Sequence, residues 1–69
     1  MNKIILFRTT RDVIRADRLC KDHNLPVTVR PVPVKIAAQC GMCLEIEEKE
    51  MARLCDVLEM NKIEMNIYK

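Results

Sequence analysis

Hydrophobic and polar positions repeat with two different periods along this chain, and their order predicts strands and helices in turn. The apolar run of residues 3–8 is typical of a strand that is buried on at least one face. Within Arg11–Asn24 the apolar positions return at helical spacing, and Thr9 or Thr10 is placed to cap the helix. One side of this helix carries Val13, Ala16, Leu19, Cys20 and His23, and the other carries Arg11, Arg15 and Arg18.

The middle of the chain predicts two further strands. Val27–Arg30 is β-branched and alternates with period two, and Pro31 and Pro33 restrict such a strand to the edge of a sheet. A long connection over Pro31–Gly41 follows. The next segment, Met42–Ile46, predicts a third strand with Met42, Leu44 and Ile46 on one face and Cys43 and Glu45 on the other.

The last part of the chain predicts a second helix and a final strand. Acidic side chains suit a helix N-terminus, so Glu47-Glu48 begins a helix that extends to about Asn61. Its apolar face holds Met51, Leu54, Cys55 and Leu58. Ile63–Tyr68 then alternates as a strand. The order β-α-β-β-α-β predicts an α+β fold, the ferredoxin-like plait, as a single domain over residues 1–69.

In this plait two helices cover one face of a four-stranded antiparallel sheet and leave the other face open. The first strand has apolar residues on both faces, because Ile4 and Leu6 point opposite to Ile5 and Phe7. One of these pairs would face water unless a second subunit covers it. We therefore expect a homodimer that forms through the open face of the sheet.

Composition and charge narrow the class of protein. The net charge of +2 is far from the dense basic patch of a nucleic-acid binder, although residues 1–35 carry eight basic and three acidic side chains. The apolar run near the start is too short for a signal peptide or a membrane span. Four cysteines without an export signal favour reduced thiols. We expect a cytoplasmic protein with no membrane or nucleic-acid partner.

The four cysteines fall into two groups. Cys20 and Cys55 occupy core positions of their helices and are expected to pack as small hydrophobic side chains. Cys40 lies in a long connection beside the only glycine, Gly41, and long connections are often functional. In a regular strand Cys43 would lie about 10 Å from Cys40 on the opposite face, beyond the ~7 Å limit for a disulfide.

The sequence leaves two interpretations of the pair open. Cys40 acts alone with Cys43 as a sheet residue, or a bend at Gly41-Met42 makes the pair a C-x-x-C redox couple or half of a zinc site. We favour Cys40 alone, with no cofactor. His23 is separated from Cys40 by a strand and is expected to be a surface or capping residue.

Two electrostatic settings for Cys40 also remain open. In the first, Pro33 begins a short helical turn through Ala37-Ala38 that ends at a left-handed Gly41, which puts Cys40 at the negative end of the turn. If the connection is extended instead, Arg30 or Lys35 could approach Cys40 and favour its thiolate.

The residues from Pro31 to Leu44 carry a resemblance to a known family. At Pro31-Val32-Pro33, Ile36, Cys40-Gly41 and Leu44 the chain resembles the selenium/sulfur (Se/S) carrier protein-like family of small bacterial and archaeal proteins. The resemblance extends to the strand ending near Phe7, to the helix entry Thr9–Asp12 and to the last strand. The family has a basic residue after the second proline and serines before the cysteine, where this chain has Val34 and Ala37-Ala38.

The resemblance implies a carrier rather than a stand-alone enzyme. Cys40 would accept a persulfide or selenopersulfide from a donor such as a cysteine desulfurase and pass the atom to a downstream enzyme. Pro31 and Pro33 would stiffen the approach, and Gly41 would let the backbone of a partner come close.

Three other classes compete with the carrier. Two Cys40/Cys43 pairs could bind one zinc ion across a dimer. RNA-recognition domains share the topology but stack bases on aromatic residues of the first and third strands, and the third strand here has none. In a plain interaction or regulatory module, Cys40 would serve packing alone.

Overall fold

The computed structural model describes residues 2–36, 38 and 40–68. Its elements follow the predicted order and the α+β prediction is confirmed. They are β1 (Asn2–Leu6), α1 (Thr10–Asp22), β2 (Thr28–Pro31), β3 (Met42–Glu47), α2 (Met51–Met60) and β4 (Asn66–Tyr68), with a short 3-10 turn over Glu48–Glu50 before α2.

All neighbouring strands are antiparallel, in the order β2-β3-β1-β4. This order is that of the ferredoxin-like plait, and it confirms that β2 lies at an edge. Leu6 at the end of β1 pairs with Cys43 near the start of β3, and Arg30 on β2 pairs with Cys43 from the other side. The connection before β3 and the connection after β1 therefore meet at the same end of the sheet.

The hydrophobic core lies between the sheet and the two helices. Ile5 and Phe7 point into it together with Leu44 and Ile46 of β3, and all four are buried. Ile4 and Leu6 lie on the opposite face and are only half-buried. The predicted division of the first strand into two apolar faces is thus correct.

Both helices end in the same hydrogen-bonded motif. The residue after each C-cap, Asn24 and Lys62, has a left-handed backbone with φ of 55° and 56°. The next residue in each case, Leu25 or Ile63, donates its N–H to a carbonyl of the last helical turn and buries its side chain, as in a Schellman motif. Because Ile63 belongs to this motif, β4 begins at Asn66 and not at the predicted Ile63.

The buried faces of the helices differ in detail from the prediction. On α2 the buried residues are Leu54, Val57 and Leu58, whereas Cys55 is only half-buried. His23 is the exposed C-cap of α1, as expected for a capping residue, and its carbonyl accepts a 2.9 Å hydrogen bond from Arg53. Across the described residues, no helix combines the length and the apolar character that a membrane span requires.

Candidate functional site

The connection between β2 and β3 folds back on itself as a hairpin. The N–H of Val32 donates to the carbonyl of Gly41 at 2.9 Å, which extends the pairing of the two strands beyond their ends. The N–H of Ile36 donates to the carbonyl of Pro33 at 3.0 Å and closes a turn. Val34 and Lys35 form the exposed tip of this turn, whereas Ile36 is buried.

The Cys40 thiol lies at the base of this hairpin, at the margin of the core. The residue is 6% exposed and belongs to the core cluster, so its side chain lies on the helix-covered face of the sheet. Its sulfur accepts a hydrogen bond from the N–H of Met42 at 3.4 Å. The Oγ1 of Thr10 lies 3.5 Å from the same sulfur, and either atom can be the donor.

These contacts place the sulfur at the N-terminal end of α1, where Thr10 is the first helical residue. A helix N-terminus carries a partial positive charge, which stabilises a negatively charged sulfur. A bonded N–H and a nearby hydroxyl add local polarity. This setting is therefore suited to a thiolate even though the side chain is almost fully buried.

The left-handed Gly41 expected from the sequence does not occur, and Arg30 is hydrogen-bonded to another residue. Gly41 does not have a positive φ, so the left-handed end of a turn at this residue is wrong; Ala37, through which that turn would have passed, lies outside the described residues. The Nε of Arg30 donates to Oε1 of Glu45 at 2.8 Å. Arg30 therefore serves the open face of the sheet, and Lys35 points into solvent at the tip of the turn.

The backbone next to Cys40 is accessible from outside. Gly41 is exposed, and a Cβ atom built on it would meet nothing within 4 Å. Ala38 is also exposed. A partner can therefore bring its own backbone close to Gly41, one residue from the thiol.

Cys43 lies on the opposite face of the sheet from Cys40, because it alternates with the core residue Leu44. It is 1% exposed although helices do not cover this face. Burial raises the pKa of the Cys43 thiol, Glu45 and to a smaller extent Cys40 raise it further, and Arg30 offsets part of the effect. Cys43 is thus protonated at neutral pH, and its side chain lies on the other face of the sheet from that of Cys40.

The remaining cysteines have different surroundings. Cys20 is completely buried in the core, and burial, with a smaller contribution from Asp17, raises the pKa of its thiol from 9.0 to about 11. Cys55 lines an open, largely apolar groove of about 650 Å³ between α2 and β4. All four cysteines are free. Among the described residues, no group of three or more His, Cys, Asp or Glu side chains is placed to hold a metal ion.

Thr10 is the residue of this site that the sequence interpretation missed, because it was considered only as a helix cap. The topology itself contains the signal. In an antiparallel β1–β3 pair, the end of β1 lies beside the start of β3, so the first turn of α1 must lie near the residues that precede β3.

The described residues thus place a buried cysteine beside the N-terminus of α1 on a ferredoxin-like plait. The chain belongs to the family described as "Putative Se/S carrier protein-like", whose model matches residues 2–69. No curated protein and no solved structure gives a significant match to the chain.

Proposed function

We propose that the protein is a sulfur or selenium carrier that holds the transferred atom on Cys40 as a persulfide or selenopersulfide. The family membership supports a carrier class. The observation that carries the proposal is the setting of the Cys40 sulfur, which has the N–H of Met42 and the hydroxyl of Thr10 within 3.5 Å and an open backbone at Gly41 beside it.

The chemistry asks for one thiolate and no bound cofactor. The Cys40 thiolate attacks the terminal sulfur of a persulfide on the donor, so that a new S–S bond forms at Cys40. The S–S bond of the donor breaks, and the donor sulfur leaves as a thiolate. An acceptor then attacks the terminal sulfur on Cys40, and the Cys40 thiolate is regenerated without net oxidation.

The same geometry supports Cys40 as the sole carrier thiol. Cys43 lies across the sheet and its pKa is raised by burial, so it is a poor nucleophile at neutral pH. A zinc site shared by Cys40 and Cys43 would need both sulfurs on one side of the backbone. Their positions on opposite faces favour the single-thiol carrier.

The hairpin is the proposed docking element for donor and acceptor enzymes. Val34 and Lys35 are exposed at its tip, and Pro31 and Pro33 limit its conformational freedom, which lowers the entropy lost on docking. Arg11, Arg15 and Arg18 lie exposed along α1 and would orient an acidic partner. Free thiols in such a site suit a reducing compartment, and we place the protein in the cytoplasm.

The test is the intact mass of the protein, purified anaerobically without reductant, before and after incubation with a cysteine desulfurase and cysteine. The proposal expects a gain of ~32 Da, one sulfur atom, on wild type. Cys43→Ser should gain the same mass, and Cys40→Ser should gain none. Cys43→Ser is the matched control because it removes a thiol three residues away.

Two results would contradict the proposal. If no form gains mass, the protein does not accept sulfur from this type of donor, and a packing role for Cys40 is favoured. If Cys40→Ser gains ~32 Da and Cys43→Ser does not, the carrier thiol is on the other face of the sheet. Either result would show that Cys40 of this chain does not carry the sulfur, whatever its family.

A further inference from the structure

Among the residues that the structure describes, Thr10 supplies the side-chain hydrogen-bonding group that contacts the Cys40 thiol. Thr10 Oγ1 lies 3.5 Å from Cys40 Sγ, across 30 positions of the chain. The second polar contact of the sulfur comes from the backbone N–H of Met42, which no substitution removes without disturbing β3. The chain can therefore tune this thiol mainly through the residue at position 10.

The neighbouring threonine shows that Thr10 is not needed to cap the helix. Thr9 is the N-cap of α1, and its Oγ1 accepts the N–H of Asp12 at 3.1 Å. Capping of the first turn is thus assigned to Thr9. The hydroxyl of Thr10 contacts the Cys40 sulfur instead, so Thr9 caps the helix and Thr10 contacts the thiol.

Protonation decides which way the Thr10 contact runs. While Cys40 is a thiol, either group can donate. Once the sulfur is ionised it has no hydrogen, and only the hydroxyl of Thr10 can donate to it, alongside the N–H of Met42. Hydrogen bonds to a charged group are about twice as strong as those between neutral groups, so the arrangement gains strength when the sulfur becomes negative.

We propose that Thr10 is the positioning residue of the carrier site: its hydroxyl donates to the ionised sulfur of Cys40 and, when the atom is loaded, holds the persulfide anion at the N-terminal end of α1. The second half of this statement rests on the proposed carrier function. The first half concerns the thiolate alone and is independent of any sulfur donor.

Other charged groups lie on the segments around Cys40. Arg11 and Asp12 belong to the first turn of α1, Lys35 to the hairpin tip, and Arg8, which is paired with Glu64 at 3.0 Å, precedes the helix. On β3, Cys43 carries the second thiol of the C-x-x-C segment and lies beside Glu45, and a Cys43→Ser background removes that thiol.

The experiment measures the alkylation rate of Cys40 by iodoacetamide as a function of pH, with the modified residue identified by peptide mass spectrometry. The variants are Thr10→Val, which replaces the hydroxyl by a methyl group of similar size, and Thr10→Ser, which restores a hydroxyl. Thr9→Val is the matched control, because it makes the identical change one position earlier. All are made in the Cys43→Ser background.

Thr10→Val should react about tenfold more slowly than its parent at pH 7, and the midpoint of its pH profile should lie higher by about one pH unit. Thr10→Ser should return close to the parent profile. Thr9→Val should lower the melting temperature through loss of the cap but leave the pH profile of Cys40 in place. A parent-like profile for Thr10→Val, or equal shifts for both valine variants, would overturn the proposal.

A second measurement addresses the loaded atom. The lifetime of the ~32 Da adduct in the presence of a small-molecule thiol should be shorter for Thr10→Val than for Thr10→Ser. Equal lifetimes would overturn the part of the proposal that concerns the persulfide. If no form accepts sulfur at all, the carrier function fails, while the alkylation profiles still decide the role of Thr10.

Discussion

At the scale of single residues, Gly41 is a glycine that the fold of this chain does not demand. Its φ is not positive, and a Cβ atom added to it would contact nothing within 4 Å. An alanine would therefore fit the backbone and the surrounding space. The proposed requirement for glycine comes from the partner, which must bring its own backbone close to Cys40.

Gly41→Ala should consequently keep the stability of the protein while it slows transfer from a protein donor. Its free energy of unfolding should be equal to wild type or higher by about 0.5–1 kcal/mol, because alanine restricts the unfolded chain more than glycine does. Urea unfolding measures this. Loading of Cys40 by a small-molecule persulfide should be unchanged, whereas loading by a cysteine desulfurase should slow, since only the protein donor needs the space. Equal slowing with both donors would contradict this role of Gly41.

At the scale of elements, α1 joins the candidate site to the core. Its N-terminal residue Thr10 contacts the Cys40 thiol, and three turns later the same helix buries Cys20 completely against the sheet. The thiols of Cys40 and Cys20 lie in opposite electrostatic environments. Cys40 has donors that stabilise a charged sulfur, whereas Cys20 is held in an apolar environment where burial raises the pKa of the thiol to about 11.

The raised pKa of Cys20 predicts a loss of stability at alkaline pH. In the unfolded chain the thiol ionises near 9.0, and in the folded protein near 11. Between these values the unfolded state binds fewer protons, so the contribution of this thiol is complete below pH 9 and is lost as pH rises through 11. The loss should amount to about 2–3 kcal/mol of unfolding free energy. Urea unfolding from pH 7 to pH 10.5 measures most of this loss, about 2 kcal/mol.

Cys20→Ala tests the origin of this loss. The variant should be less stable than wild type at pH 7, because the side chain leaves a cavity, yet its stability should fall less steeply above pH 9. Cys55→Ala is the matched control, since it removes a half-buried thiol from the other helix. A wild-type slope in Cys20→Ala would show that other groups cause the alkaline loss.

At the scale of the whole molecule, the order of elements could be predicted because each one has a clear period. The alternation in Val27–Arg30 and Met42–Ile46 specified strands, and the prolines after Arg30 correctly placed β2 at an edge. Element ends were less predictable. Lys62 adopts a left-handed backbone although it is not glycine. Its residue type therefore does not predict the Schellman motif that precedes β4.

The sequence predicted Cys40 as the candidate site residue, but it did not predict which groups surround the Cys40 thiol. Cys40 stood out by its place in the chain, whereas its partners Thr10 and Met42 come from segments that only the sheet register brings together. An extended connection predicts Arg30 as a partner of Cys40, but strand alternation directs Arg30 to Glu45 on the other face. Long-range register, which local patterns do not encode, decided both outcomes.

The shape of the molecule gives the homodimer proposal a definite surface. The described chain is a slab of 30 × 26 × 15 Å, with both helices on one side of the sheet. Ile4 and Leu6 lie half-buried on the opposite, open face, and Tyr68 is 42% exposed on β4. We propose that a second copy covers them.

Leu6→Lys tests this dimer, because it places a charge on the proposed interface while the core side of β1 stays intact. Sedimentation equilibrium should give a dimer for wild type at high micromolar concentration and a monomer for Leu6→Lys, with circular dichroism unchanged. Ile14→Lys is the matched control, since Ile14 is 57% exposed on α1 and lies away from the open face. A monomeric wild type would contradict the dimer. A Leu6→Lys variant that remains dimeric would show that the open face is not the interface, because burying an unpaired lysine there would cost more free energy than the association provides.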